Sequence, residues 1–259
     1  MAKLEYGDEA SRLVEAINTV PDTIGRRQAI LRALNLKTGE RVLDIGSGPG
    51  HQALEMSPMV GPSGEIDGVD ISESMLQIAQ SRCDGVSNIK FHHGDAVNLP
   101  FQAGTFDAVM SSMVFEYLVD VPKALSEAHR VLKSGGRIVV HDCDWSATLW
   151  RSSDPDRMAR MLQVWDGHLV DKNLPQTLNT KLRNAGFRQG DHSVYVMFNP
   201  ALNENTLSHT LIKFVTSFNV SQGVEQAEID AWVDDLYRLG ASGDYFFSSN
   251  EYIMVGWKP

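Results

Sequence analysis

The sequence predicts an α/β protein built on a doubly wound, mostly parallel sheet. Three observations carry that reading. An apolar strand at residues 41–45 runs directly into Gly46-Ser47-Gly48-Pro49-Gly50, and a helical pattern follows. A second apolar strand ends in Gly68-Val69-Asp70, and a third closes on Gly94-Asp95-Ala96. Strand and helix patterns then alternate as far as residue 142, the rhythm of βα units whose ligand crevice lies at the carboxyl ends of the strands. Alternating glycines let backbone N–H groups approach a ligand where side chains would collide. A carboxylate about twenty residues further on is where nucleotide-binding α/β units hold ribose hydroxyls.

Each element follows in order. Residues 8–35 show helical spacing of Leu13, Ile17, Ile30, Leu31 and Leu34, interrupted at Pro21-Asp22. Thr38-Gly39 makes a turn into the first strand. Residues 51–60 read as helix, 64–70 as strand, 74–83 as helix, and 89–93 and 106–111 as strands. A helix at 121–131 and a strand at 137–142 complete the alternation. Beyond it, 145–171 is rich in Trp, Met and Arg and reads as helical, and 178–185 is a short helix stopped by Gly186. Residues 192–198 and 252–257 alternate as strands, and two helical patterns fill 203–239 between them. With no repeat, low-complexity tract or linker, the reading is one domain over 1–259. It has a helical cap at 1–39, a cofactor-binding core at 40–142, and a substrate cover at 143–259 with an insertion at about 201–240.

Composition narrows the function. Apolar content of 42% with 22% charged residues suits an ordinary globular protein. No apolar run is long enough to span a membrane, and the first residues lack the apolar core of a signal peptide. A formal charge of −10 argues against broad phosphate-backbone binding, so nucleic acid is not an expected partner. Cys83 and Cys143 have neither C-x-x-C spacing nor nearby histidine patterns, which points to free thiols, no structural zinc and a cytoplasmic location. No carboxylate and histidine spacing suggests a catalytic metal.

The strings VLDIGSGPG, GVDISESML, FHHGDAVNLPF, FDAVMSSMVFEYL and HRVLKSGGRIVV, in unbroken order over residues 40–142, resemble the class I S-adenosylmethionine-dependent methyltransferases. The likeness is to their small-molecule, quinone-biosynthesis-like branch (methyltransferase type 11). It implies a Rossmann-like methyltransferase fold: seven strands in the order 3-2-1-4-5-7-6, the last antiparallel, with a helical lid inserted before the final strand. The competing reading, an NAD(P)-dependent oxidoreductase, requires G-x-G-x-x-G/A. Here the third glycine comes one residue early at Gly50, and His51 stands where a small residue is needed.

Residue roles follow from the resemblance. Gly46, Ser47, Gly48 and Gly50 would wrap the methionine part of S-adenosylmethionine, with Asp44 beneath them facing its amino group. Asp70 would accept the ribose hydroxyls, Ile71 would pack on the adenine and Met75 would pad it. After Gly94, Asp95 would accept from the exocyclic amine and the Ala96 N–H would donate to a ring nitrogen. Ser111 would contact the methionyl portion. An aromatic and an arginine from the N-terminal cap, with Tyr6 and Arg27 as candidates and Arg26 beside them, would cover the cofactor and bind its carboxylate.

Methyl transfer from a sulfonium needs alignment and exclusion of water, and a base only where the acceptor must lose a proton. Glu116, set between Phe115 and Tyr117 after the fourth strand, is the leading candidate. A desolvated carboxyl there would have a raised pKa, and could instead stabilise a cationic substrate. His141 and Asp142 end the fifth strand on the same crevice. Trp145, Trp150, Trp165, Phe214 and Phe218 favour a covered apolar cavity and a small hydrophobic or aromatic acceptor, methylated at C or O. A cofactor-binding regulatory or assembly subunit without transfer activity is the alternative. The sequence leaves the substrate and the oligomeric state open, a homodimer being one option.

Overall fold

The computed structural model describes residues 8–259, with side chains from Arg12 onward. Two helices open it, α1 (Asp8–Thr19) and α2 (Pro21–Leu34). The break at Pro21 starts α2, because proline is tolerated in a first helical turn whose N–H has no partner. Asn35, at φ 48°, ends the helix in a left-handed cap.

The alternating core follows as β1 (Arg41–Ile45), α3 (His51–Val60), β2 (Glu65–Asp70), α4 (Glu73–Arg82), β3 (Ile89–His93), β4 (Phe106–Ser112) and α5 (Val121–Val131). A single 3-10 turn, Phe115–Tyr117, lies between β4 and α5. The chain continues through β5 (Leu132–Trp150), α6 (Pro155–Trp165) and α7 (Leu174–Asn184) to the two-residue β6 (Arg188–Gln189) and β7 (Ser193–Asn199). It ends with α8 (Leu207–Ser221), α9 (Gln226–Ser242) and β8 (Phe247–Trp257).

The sheet order is β3-β2-β1-β4-β5-β8-β6, with β7 also paired to β8. β1 to β5 are mutually parallel and β8 is antiparallel to β5. This is the expected arrangement with its outermost strand split in two. β6 pairs with Gly256 and Trp257, and β7 with the stretch from Phe247 to Ile253. At the break the Gly190 N–H donates to the Val255 carbonyl at 2.8 Å, and His192 Nδ1 accepts from the Val255 N–H at 3.2 Å.

One expectation fails. The helix read at 145–171 is in fact a continuation of β5 to Trp150, then α6 and a 3-10 turn at Asp166–His168. The cause is tertiary: Leu149 and Trp150 pair with Ser248 and Phe247 of β8, past a bulge that begins after Asp144. Pairing to a strand a hundred residues away overrides local preference. The helix starts only where the Asp154 side chain accepts from the Arg157 N–H, ahead of Pro155.

Each face of the sheet carries an apolar layer. Leu43, Ile45, Val109, Ile138 and Val140 pack against α5 and α7. Val42, Ile66, Met110, Val139 and Ile253 pack against α2 and α3. A third core joins α6, α8 and α9 to the far ends of β5 and β8, around the fully buried Trp232, whose ring meets Trp150 edge-on at 5.5 Å. The two extended strands therefore carry the helical cover on the same backbone that forms the sheet, above the carboxyl ends of β4 and β5.

Candidate active site

At the end of β1 the chain turns through three left-handed glycines, Gly46 (φ 71°), Gly48 (φ 50°) and Gly50 (φ 82°). A Cβ on Gly46 would sit 2.2 Å from Val114 Cγ2, whereas one on Gly48 would meet nothing within 4 Å. The first glycine lets the loop pass under the β4 turn; the second faces open space, as a cradle for a ligand requires. Gly46→Ala should therefore cost about 1–2 kcal/mol for the left-handed backbone alone and add the Val114 clash. A lowered thermal midpoint together with lost cofactor binding by calorimetry is the expected result, and unchanged binding would show that the loop does not need this path.

The three strand ends converge. The Gly48 N–H donates to Asp70 Oδ2 at 2.8 Å, the Ser72 N–H to Asp70 Oδ1 at 2.9 Å, and the Gly94 N–H to the Asp70 carbonyl at 3.0 Å. Burial raises the Asp70 carboxyl while the Ser72, Gly48 and Ile71 backbone donors restrain it. Ile71 beside it is 65% exposed, an isolated apolar side chain at the crevice, but Met75 is buried at 2%. Asp95 is exposed and accepts from the Val97 N–H at 3.1 Å, a local turn that orients the backbone around the buried Ala96.

Asp44, 1% exposed, has no partner for Oδ2 among the described residues. Burial, helped by the Asp70 charge, pushes its carboxyl up to about 8. Ser47 Oγ, Ser111 Oγ, Glu116 Oε1 and Asp142 Oδ2 are likewise buried without a partner among the described residues. Buried polar atoms are nearly always paired, so five such atoms near the carboxyl ends of β1 and β4, at Asp142 within β5 and on the adjoining turns make this a candidate site for polar groups.

Glu116 is fully buried on the 3-10 turn, and Trp145 donates its indole N–H to Oε2 at 2.9 Å. Burial pushes its carboxyl up to about 8, against hydrogen bonds from Trp145 and Tyr117 and with the charge of Glu251. Asp142 lies under the same turn, with Oδ1 3.5 Å from the Glu116 N–H. Burial, then the Glu116 charge, holds it well above the carboxylate range. Asp142 thus caps and positions the turn that carries Glu116. Met113, at φ 58°, bends the chain into this turn and donates its N–H to the His141 carbonyl at 2.8 Å.

His141 faces the opposite side of β5. Its Nε2 meets Glu251 Oε2 at 3.2 Å and its Nδ1 meets Ser112 Oγ at 3.0 Å. Burial lowers its pKa against the pull of Glu251. A neutral His141 therefore carries its proton on Nε2, toward the carboxylate, and accepts from the Ser112 hydroxyl. Arg26 Nη1 approaches Glu251 Oε1 at 3.5 Å, which ties α2 to the same array.

Sequence reading missed Glu251 and Ser112. A signal for the first existed: Phe247, Ser249, Glu251, Ile253 and Val255 share one face of a strand, and an acid on an otherwise largely apolar face implies a buried partner. Arg27 is engaged elsewhere, at 2.9 Å from Glu55 and 2.6 Å from the Asn18 carbonyl, as a strut between α1, α2 and α3. Tyr6 lies outside the described residues.

A family model described as a methyltransferase domain matches residues 36–194, and the chain belongs to that family, the class I S-adenosylmethionine-dependent methyltransferases. The oxidoreductase reading falls with that match. The chain is 36% identical over 113 residues to a demethylmenaquinone methyltransferase of Staphylococcus aureus, covering 44% of this chain and 47% of that one. It is 34% identical over 165 residues to an uncharacterised 37.1 kDa transposon protein of Streptomyces fradiae, covering 64% of this chain and 46% of that one. The matched region thus spans about half the length of these relatives. Among solved structures, phosphoethanolamine N-methyltransferase 2 of Haemonchus contortus shares the fold, with a TM-score of 0.65 at 22% identity, over 99% of this chain and 58% of that one. Among the described residues no helix is long and apolar enough to cross a membrane.

Proposed function

We propose that this protein transfers a methyl group from S-adenosylmethionine to a small hydrophobic or aromatic metabolite, at carbon or oxygen. The observation that carries the proposal is the set of unpaired buried polar atoms at the strand ends, Asp44 Oδ2 and Glu116 Oε1 above all. They lie between an open glycine cradle and an aromatic cover. The cofactor fits the first half of that set. Asp44 offers an unpaired acceptor for an ammonium, Asp70 two carboxylate oxygens with lone pairs to spare for hydroxyls, and Ile71 an exposed apolar face for a planar base. When bound, S-adenosylmethionine supplies a methyl on a sulfonium sulfur, open to in-line displacement.

The chain's own residues then have three tasks. Trp145, Trp165 and Phe214 from the cover, with Tyr117, exclude water, which strengthens every electrostatic interaction inside. Glu116 takes the proton of an acceptor hydroxyl or activated carbon on Oε1, while Trp145 holds Oε2 in place. Asp142 keeps the turn rigid, and burial together with the charge of Glu251 raises the basicity of Glu116. The net charge of −10 disfavours a nucleic-acid acceptor, and the similarity to a protein named for demethylmenaquinone supports an aromatic one.

Calorimetry with S-adenosylmethionine, S-adenosylhomocysteine and NAD tests the cofactor, with binding of the first two and not the third expected. Labelled cofactor incubated with a metabolite extract then tests transfer. Tight cofactor binding with no labelled product would replace the proposal by a regulatory or assembly role.

A further inference from the structure

The cover holds a partly open cavity of about 260 Å³, walled by Trp145, Trp150, Leu162, Trp165 and Val215, with Thr148 among its polar contributors. Two residues of that wall carry a buried polar atom without a partner among the described residues: the Trp165 indole N–H and the Thr148 hydroxyl. The other tryptophans of the cover are all satisfied. Trp145 donates to Glu116, Trp150 to the Tyr245 hydroxyl at 3.0 Å, and Trp232 to Met158 Sδ at 3.4 Å. Trp165 is only 4% exposed. A buried indole N–H usually finds a partner, and it can only donate.

We infer that this cavity binds an uncharged aromatic ring bearing a hydrogen-bond-accepting oxygen, which the Trp165 N–H and the Thr148 hydroxyl read. Three features set that ligand class. The walls carry aromatic and aliphatic side chains beside the uncharged Ser146, Thr148 and Gln163, with Trp145 and Trp165 edge-on to one another at 6.3 Å, an angle that takes a flat ring against either face. The charged residues on the lining, Asp166 and Lys172, neutralise each other at 2.6 Å and leave no free charge to match an ion. The volume lies just below the ~300–1,000 Å³ of ordinary ligand pockets, room for one ring or two fused rings.

The cavity also has a defined relation to the chemistry. Trp145 forms its wall with its ring and holds Glu116 with its N–H. A ring seated against Trp145 is thus separated from the carboxyl by a single side chain. The cavity's preference for an acceptor oxygen does not rest on the proposed function.

The test is equilibrium binding of two matched probes to the full chain, 2-methoxynaphthalene and 2-ethylnaphthalene, which differ by an ether oxygen in place of a methylene. The wild type should bind the ether about five- to tenfold more tightly, the worth of one neutral hydrogen bond. Trp165→Phe keeps a ring in the wall and removes the indole donor, so the preference for the ether should fall to the share that the Thr148 hydroxyl supplies. Thr148→Val should reduce the preference in part. Equal binding of the two probes by the wild type, no binding of either, or a preference undiminished in Trp165→Phe would overturn the inference. Probe discrimination without methyl transfer from labelled cofactor would sink the proposed function and leave the cavity's specificity standing.

Discussion

Replacing Arg26 with methionine should lower the free energy of unfolding by about 3–5 kcal/mol, the usual effect of removing one partner from a buried ion pair. Arg26 is 8% exposed and Glu251 2%, and the third member of the array, His141, is fully buried. Without the guanidinium, the Glu251 carboxylate is left in the interior with only a neutral imidazole to bind. Burial raises the pKa of Glu251, and the Arg26 charge and His141 outweigh it, so its folded value lies below its ordinary one. A carboxyl lowered on folding contributes stability that is present above its unfolded pKa and lost as pH falls through the folded one. The difference between wild type and variant should therefore be widest near neutrality and should close in acid. Urea unfolding at several pH values measures it. A double variant, Arg26→Met with Glu251→Leu, should recover much of the loss, because two apolar groups can replace a buried pair almost without cost. A single variant within about 1 kcal/mol of wild type, the worth of a surface pair, would show that water reaches the array.

The legible and illegible parts of the molecule divide along sequence distance. The cradle could be read because its signals are local. Three glycines within five residues, an apolar strand before them and Asp70 closing the next strand each state a backbone requirement at the place where it is met. Each strand from β1 to β5 likewise announces itself in its own few residues, whereas the sheet order came from the family resemblance and not from any local signal. Glu116 stood out because a carboxyl between Phe115 and Tyr117 is anomalous in its immediate setting. What could not be read depends on distant segments. The His141–Glu251 contact joins positions 110 residues apart, and no local pattern predicts which polar strand residues will meet. The extension of β5 to Trp150 exists only because β8 runs alongside it. Asp154-Pro155 did carry a local helix-start signal that dates the true beginning of α6, but the Trp- and Met-rich stretch before it resembled helix more than strand. The unpaired Trp165 N–H is of another kind: it is the absence of a contact, which a sequence does not display.

Glu116→Gln should trade activity for stability, and the two effects have opposite dependence on pH. The carboxyl titrates near 8 in the folded protein, up from an ordinary 4.5, because burial penalises its charge. The protonated form is thus favoured by folding: the stability it contributes is full below its unfolded pKa and is lost as pH rises through about 8. Glutamine keeps the shape and one hydrogen-bonding oxygen for Trp145 but never charges. Relative to wild type, the variant should gain thermal stability steadily from about pH 5 to about pH 9. Activity should move the other way. A base must be ionised, so wild-type kcat/KM should climb with pH toward a plateau above about 8. The glutamine variant should lose about 10²–10⁴-fold, with that climb abolished. Asp142 complicates the curve in a predictable manner. The Glu116 charge helps to raise it, so the two carboxyls titrate as a pair, and removing one should lower the other. A residual titration in Glu116→Gln, shifted to lower pH than in wild type, would be that of Asp142. S-adenosylhomocysteine affinity, measured on the same samples, separates the possible causes. Unchanged affinity with lost turnover places Glu116 on the acceptor, whereas full turnover in the variant, or a wild-type stability profile flat across this range, would remove it from the chemistry.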